Sequence, residues 1–152
     1  MSGMPYTIEK ALPHAHPMIL LDDIIGWEPA EIKTTVTIRR SQPLFQEQGM
    51  PAHVAIEYMA QTCGAYVGIE ALRAGRIPRI GLLLGTRNFS AVQKWISEGE
   101  ELLVSAAAVF REDEMGVFDC RVAKKSNGDT VASARLTVFQ PSDDTAFGAP
   151  HG

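Results

Sequence analysis

Basic charge is the first thing this chain is short of. Its 14 Lys and Arg are outnumbered by 18 Asp and Glu, which leaves a net charge of -4 and a pI near 5.5. Binding to phosphate backbones needs clustered cations, and the basic groups here go no further than adjacent pairs, the densest being Lys124-Lys125. No nucleic-acid partner is expected. Long apolar runs are missing too: nothing approaches the roughly 18 residues that a membrane-spanning helix requires. Residues 1 to 10 lack the basic start and apolar stretch of a signal peptide, so the cytoplasm is the expected compartment. Cysteine is scarce. Cys63 and Cys120 both fall in apolar runs and read as reduced core thiols rather than a disulfide or a metal pair. The four histidines are scattered without close cysteine neighbours, so no zinc site is expected, and neither is any cofactor. What remains is ordinary for a globular chain of 152 residues, 45% hydrophobic and 21% charged, which suits one domain with one core.

Proline and glycine punctuate the pattern. Pro13 and Pro17 forbid a regular helix through the entry segment, and residues 22 to 27 predict a first strand. From 31 to 39 the alternation is clean: Ile32, Thr34, Val36 and Ile38 share one face, with charged or polar residues on the other. That period of two predicts a strand with one wet side. Residues 52 to 74 then run without proline and are rich in Ala, Met, Ile, Leu and Tyr. They predict one long helix of roughly 34 Å, apolar nearly all round and so enclosed by other elements, with Gly75 as its stop. Residues 80 to 85 are continuously apolar and predict a strand covered on both faces. Three further strands are expected over 102 to 110, 115 to 123 and 131 to 139, the last two joined through Asn127-Gly128 by a type I′ turn. Residues 1 to 140 are read as one domain and 141 to 152 as a loose tail. A single sheet buries such a helix only by curling around it, so the expected class is α+β: a curved antiparallel sheet wrapped around one long central helix. The helix would remain partly uncovered in a lone subunit, which points to a dimer joined edge to edge.

Glu57 is the residue that most needs a reason, because it sits inside this apolar helix. A charge in low dielectric is costly unless paired, and desolvation would make the carboxyl a better proton donor near neutrality. It is either a functional acid or a structural partner, for instance of Arg87. His53, Glu57, Gln61, Gly64 and Gly68 recur at helical spacing along one stripe. The two glycines cost helix stability and so mark a close approach, by a packed neighbour or by an acyl chain in a narrow tunnel. Pro51, near the helix start, leaves the following N–H groups, from Ala52 on, available for a thioester carbonyl.

Several motifs together give a resemblance. Leu12-Pro13-His14, Pro17 and Leu20-Leu21-Asp22, then Pro43-Leu44-Phe45-Gln46, then Pro51 with Ile56-Glu57-Tyr58-Met59-Ala60-Gln61, resemble the bacterial 3-hydroxyacyl-acyl-carrier-protein dehydratases of the hot-dog superfamily. The helix wording is especially similar to dehydratase-like proteins of aryl-polyene and related pigment pathways. The resemblance spans residues 12 to 139. It implies a hot-dog fold, a lyase acting on an acyl thioester carried by acyl carrier protein or coenzyme A, Glu57 as catalytic acid and Gln61 as a residue that orders the site. The family's base is a loop histidine ahead of the helix. Here that loop reads Gln46-Glu47-Gln48-Gly49-Met50-Pro51 and has none. His53, about 5–6 Å from Glu57 by helical Cβ spacing, is either a replacement base or a residue that bonds locally at the helix start. His14 reads as part of the architecture, His16 has no clear role and His151 lies in the tail.

Three functions follow. The chain is a dehydratase with Glu57 as acid and His53 as base; or a hot-dog thioesterase in which Glu57 alone activates water or attacks the thioester; or a half-catalytic or non-catalytic subunit whose hot-dog partner supplies the histidine. The first two fit a homodimer and the third a heterodimer. Arg73, Arg76 and Arg79 form either a docking surface for an acidic carrier or a merely solvated group.

Overall fold

A computed structural model of the chain describes residues 5–13, 18–79, 81–112 and 114–140. The tail expected from residue 141, and the histidines at 14, 16 and 151, lie outside the described residues.

A four-residue helix α1 (Ile8–Ala11), capped by the Thr7 side chain, leads in. β1 (Asp23–Glu28) and β2 (Glu31–Thr37) form a hairpin. A two-residue strand β3 (Met50–Pro51), a 3₁₀ turn (Ala52–Val54) and the long helix α2 (Ala55–Arg73) follow. The rest is strand: β4 (Leu82–Ala91), the short β5 (Trp95–Ile96), β6 (Glu101–Glu112), β7 (Met115–Lys124) and β8 (Thr130–Phe139). Six strands make one antiparallel sheet in the order β1-β2-β6-β7-β8-β4, and β3 pairs β5 apart from it. The sheet curves along α2, which packs against β2, β6, β7 and β8. This is the hot-dog arrangement, and the α+β class expected from the sequence holds.

Local chemistry explains the elements. On β2, Ile32, Thr34, Val36 and the following Ile38 are all 1% exposed or less, so the period-two face is the core face. α2 ends in a Schellman motif: Gly75 takes φ +75°, its N–H donates to Leu72 O, and Arg76 N–H donates to Ala71 O at 2.8 Å. Only glycine enters that conformation at little cost. Tyr66 anchors the middle of the helix, its hydroxyl donating to Pro29 O at 2.7 Å and its ring lying against Trp27 and Phe118.

Two expectations are corrected. The described part of the apolar run at 80 to 85 is not a strand covered on both faces. It opens β4, the sheet edge, where Leu82, Leu83 and Leu84 are 42%, 39% and 54% exposed. The atoms that would cover it do not come from the described residues of this chain. The β7–β8 connection is not a two-residue type I′ turn either. Only Gly128 (φ +80°) is left-handed there, and the loop is longer: Gly128 N–H donates to Lys124 O, and Asn127 Oδ1 accepts from Asp129 N–H. Asn127 therefore acts as an Asx-turn acceptor rather than through its backbone.

Candidate active site

One side of α2 faces a cleft of about 260 Å³ instead of the sheet. Glu57, Ala60, Gln61, Gly64 and Val67 form its helix wall, spaced as one helical stripe should be. Leu82 and Leu83 of β4 and Val138 of β8 stand among the other walls, with Leu12 and Met18 from the entry segment. The lining is apolar apart from Glu57 and two glutamine side chains, Gln61 and Gln140.

Glu57 is exposed in the single chain, which corrects the expectation of a carboxyl buried within the helix packing. Its stripe lies where the chain's own sheet leaves α2 uncovered. The ion pair considered with Arg87 is absent, since Arg87 lies on β4 opposite Arg135 of β8. Gln61 is buried and tied at both ends: Oε1 accepts from Leu20 N–H at 2.9 Å and Nε2 donates to Met18 O at 2.7 Å. Its amide thus holds the entry segment against the cleft.

The two glycines separate. At Gly68 a Cβ would lie 1.9 Å from Ala11 O, so this position serves the packing of α1 on α2. At Gly64 the nearest atom is Leu12 Cδ2 at 3.2 Å, and Gly64 lines the cleft. The stripe read in the sequence is therefore half site and half joint.

The helix start differs from expectation. Pro51 pairs with Trp95 in the short β3–β5 ladder and precedes a 3₁₀ turn rather than opening the α-helix. Ala52 N–H donates to Lys94 O at 3.0 Å, so it is not free for a thioester carbonyl. No side chain caps the turn. His53 is exposed on it and is not a wall of the cleft. The structure thus brings Glu57, Gln61 and Gly64 together and leaves His53, Pro51 and Ala52 outside.

Neighbouring groups are unsuited to proton transfer or attack. Tyr58, next to Glu57 but turned into the core, is 1% exposed, and burial, aided by the nearby Asp22 charge, pushes its phenol well above the usual range. Burial, then the hydrogen bond to Cys120, does the same to the Cys63 thiol, whose Sγ lies 3.5 Å from Cys120 Sγ. Both cysteines are free and buried, as expected. Among the described residues no group of His, Cys, Asp and Glu is placed to hold a metal ion, and no helix is long and apolar enough to cross a membrane.

A family model described as ApeP-like, ApeP dehydratase, matches residues 6–149. The 3-hydroxyacyl-[acyl-carrier-protein] dehydratase FabZ of Streptococcus sanguinis (strain SK36) is 27% identical over 138 residues, 86% of this chain and 93% of that protein. A chain of the dehydratase heterocomplex ApeI:P from Xenorhabdus doucetiae superposes with a TM-score of 0.88 at 24% identity, covering 95% of this chain and 96% of its own. A hypothetical thioesterase from Streptococcus pneumoniae TIGR4, solved with coenzyme A, reaches 0.61 at 15% identity over 80% and 86%. At these identities the structural likenesses speak for the fold alone.

Proposed function

We propose that this chain, which belongs to the ApeP-like dehydratase family, removes water from 3-hydroxyacyl thioesters carried by acyl carrier protein, with Glu57 as general acid and a second hot-dog chain supplying the base. The observation that carries this reading is the placement of Glu57 on the wall of an apolar cleft that Ala60, Gly64 and Val67 continue along the helix. In the reaction a base takes the proton from C2, the C3–O bond breaks, and Glu57 protonates the departing hydroxyl as the C2–C3 double bond forms. Charge passes through the thioester carbonyl, which needs N–H donors. Ala52 N–H is already bound to Lys94 O and is not one of them.

The base is the part this chain lacks. The loop from Gln46 to Pro51 has no histidine, and His53 stands outside the cleft. A second copy would bring the same loop, whereas a different hot-dog chain can bring its own histidine. The exposed leucines of β4 and the uncovered Glu57 offer such a chain an edge and a site to complete. A chain of this fold occurs in a dehydratase heterocomplex, so a heteromeric assembly is compatible with the fold.

The test is an assay of 3-hydroxyacyl-acyl carrier protein with this chain alone and with a histidine-bearing hot-dog dehydratase, following enoyl absorbance and free thiol together. Enoyl product is expected only from the mixture. Glu57→Gln should lower that rate roughly 10²- to 10⁴-fold, and His53→Ala should leave it unchanged. Enoyl formation by the chain alone, lost in His53→Ala, overturns the need for a partner. Thiol release without enoyl product replaces the dehydratase reading with a thioesterase.

A further inference from the structure

The open edge of the sheet beside the cleft carries one charge. β4 reads Leu82-Leu83-Leu84-Gly85-Thr86-Arg87-Asn88-Phe89-Ser90-Ala91, and Arg87 is its single ionisable side chain. The register sets Arg87 opposite Arg135 of β8, and Arg135 opposite Asp119 of β7. All three are exposed. They stand on the face turned away from α2, because their chain neighbours Leu136 and Phe118 point into the core.

Arg135 is already occupied. Its Nε donates to one Asp119 oxygen at 2.7 Å and its Nη2 to the other at 3.0 Å. Asp119 lies two strands from Arg87, roughly 10 Å, and beyond it the row continues with the neutral Ala107 of β6. Arg87 itself has no hydrogen-bond or ion-pair partner among the described residues. Like charges directly opposite across two strands are destabilising. The row therefore reaches the open edge with two arginines against one aspartate.

Whatever covers β4 has to meet that charge. The exposed leucines suit another sheet edge. A second copy would join through a two-fold axis perpendicular to the sheet, with β4 antiparallel to β4 and both outer faces on one side. Pairing along all ten residues of β4 is centred near Thr86 and Arg87, so the two Arg87 side chains stand opposite or diagonal, roughly 5–8 Å apart. Each copy brings Arg87, Arg135 and Asp119 to the seam, and neither β4 offers an acid.

We infer that β4 favours a different chain over a second copy, and that this partner is a hot-dog chain whose edge strand carries a carboxylate on its outer face, within reach of Arg87. The inference rests on the two-chain reading above and deepens it: one partner supplies both the missing base and the missing counter-charge. Repulsion rejects the wrong chain and attraction selects the right one.

The acidic edge can be built into the protein itself. Unaltered protein and Arg87→Glu, told apart by a mass tag, are mixed, and native mass spectrometry compares the mixed pair with the two self-pairs. Summed over Arg87, Arg135 and Asp119 of both copies, the row carries +2 in the unaltered pair, -2 in the variant pair and 0 in the mixed pair. The mixed pair should exceed its random share, the exchange constant rising roughly 3- to 30-fold at low salt. About 1 M salt, with a screening length of roughly 3 Å, should abolish that excess. Arg87→Ala removes only the positive charge and should self-associate more tightly than the unaltered protein; it carries the test if Arg87→Glu folds poorly. A mixed pair at its random share, or Arg87→Ala self-association no tighter than that of the unaltered protein, overturns the inference and leaves the reading of Glu57 and its cleft untouched, since no turnover is measured. If unaltered protein, both variants and the mixture all stay monomeric, β4 does not pair with hot-dog edges, and the two-chain assembly falls together with this inference.

Discussion

The two sides of α2 are made from the same kinds of residue and do opposite things. Toward the sheet, Tyr58, Thr62, Cys63, Tyr66 and Ile69 are all 2% exposed or less, and the Thr62 hydroxyl sits in a closed hydrogen-bond chain. Toward the cleft, Glu57 is exposed, and Ala60 and Gly64 are half-buried with space in front of them. One side is saturated in packing; the other keeps unfilled capacity. A binding site needs that second condition, because a side chain already satisfied within the protein has little left for a ligand. The difference teaches where a substitution will register: as lost stability on the first side and the α1 joint, as lost binding on the second.

The largest effect belongs to the joint. Gly68→Ala puts a methyl 1.9 Å from Ala11 O, and a backbone carbonyl cannot swing aside as a side-chain tip can. α1 must shift as a unit. Overpacking of roughly 3 kcal/mol against a helix-propensity gain of about 1 kcal/mol leaves a net loss near 2 kcal/mol and a Tm lower by roughly 4–8 °C. A thermal melt checks it, and an unchanged Tm would mean that α1 is not fixed on α2.

The sheet side gives the next largest. Thr62 donates to Tyr58 O at 2.8 Å, so it must accept from Thr34, whose Oγ1 lies 2.9 Å away and is fully buried. Thr62→Val strands the Thr34 hydroxyl at a cost of about 1.5 kcal/mol. Adding Thr34→Val removes the stranded group and should recover most of that loss. Denaturant titrations of the two single variants and the double variant measure the coupling; strictly additive losses would show that the pair does not act as one unit.

How far the sequence reached follows the same division. β2 was legible because one of its faces is wet, and α2 because an uninterrupted apolar stretch ended at a glycine. Glu57, Gln61 and Gly64 could be placed on one stripe by spacing alone. Spacing could not say whether that stripe is covered by this chain's sheet or by another chain, so Glu57 was expected to be buried. Nor could it separate Gly68, which meets a backbone, from Gly64, which meets a cleft. The Arg111–Glu70 pair joins positions 41 residues apart and leaves no local signal. The second half of β4 was hidden because Asn88 adopts φ +57° within an irregular register between Arg87 and Ser90, breaking the alternation that marks a strand.

Gly64→Ala sharpens the contrast because its expected effect on stability is the smallest. The new methyl would stand 3.2 Å from Leu12 Cδ2, the tip of a side chain that can yield by a few tenths of an ångström. That small crowding offsets the helix-propensity gain of about 1 kcal/mol, so the Tm should stay close to that of the unaltered protein. The methyl also enters the cleft between Glu57 and Val67, nearer Val67, and there it should weaken long acyl thioesters while leaving the shortest ones unaffected. Melting curves and titrations with pantetheine thioesters of a series of acyl lengths read both effects. A fall in Tm as large as that of Gly68→Ala would make both glycines packing sites, and an unchanged length profile would remove Gly64 from the acyl path.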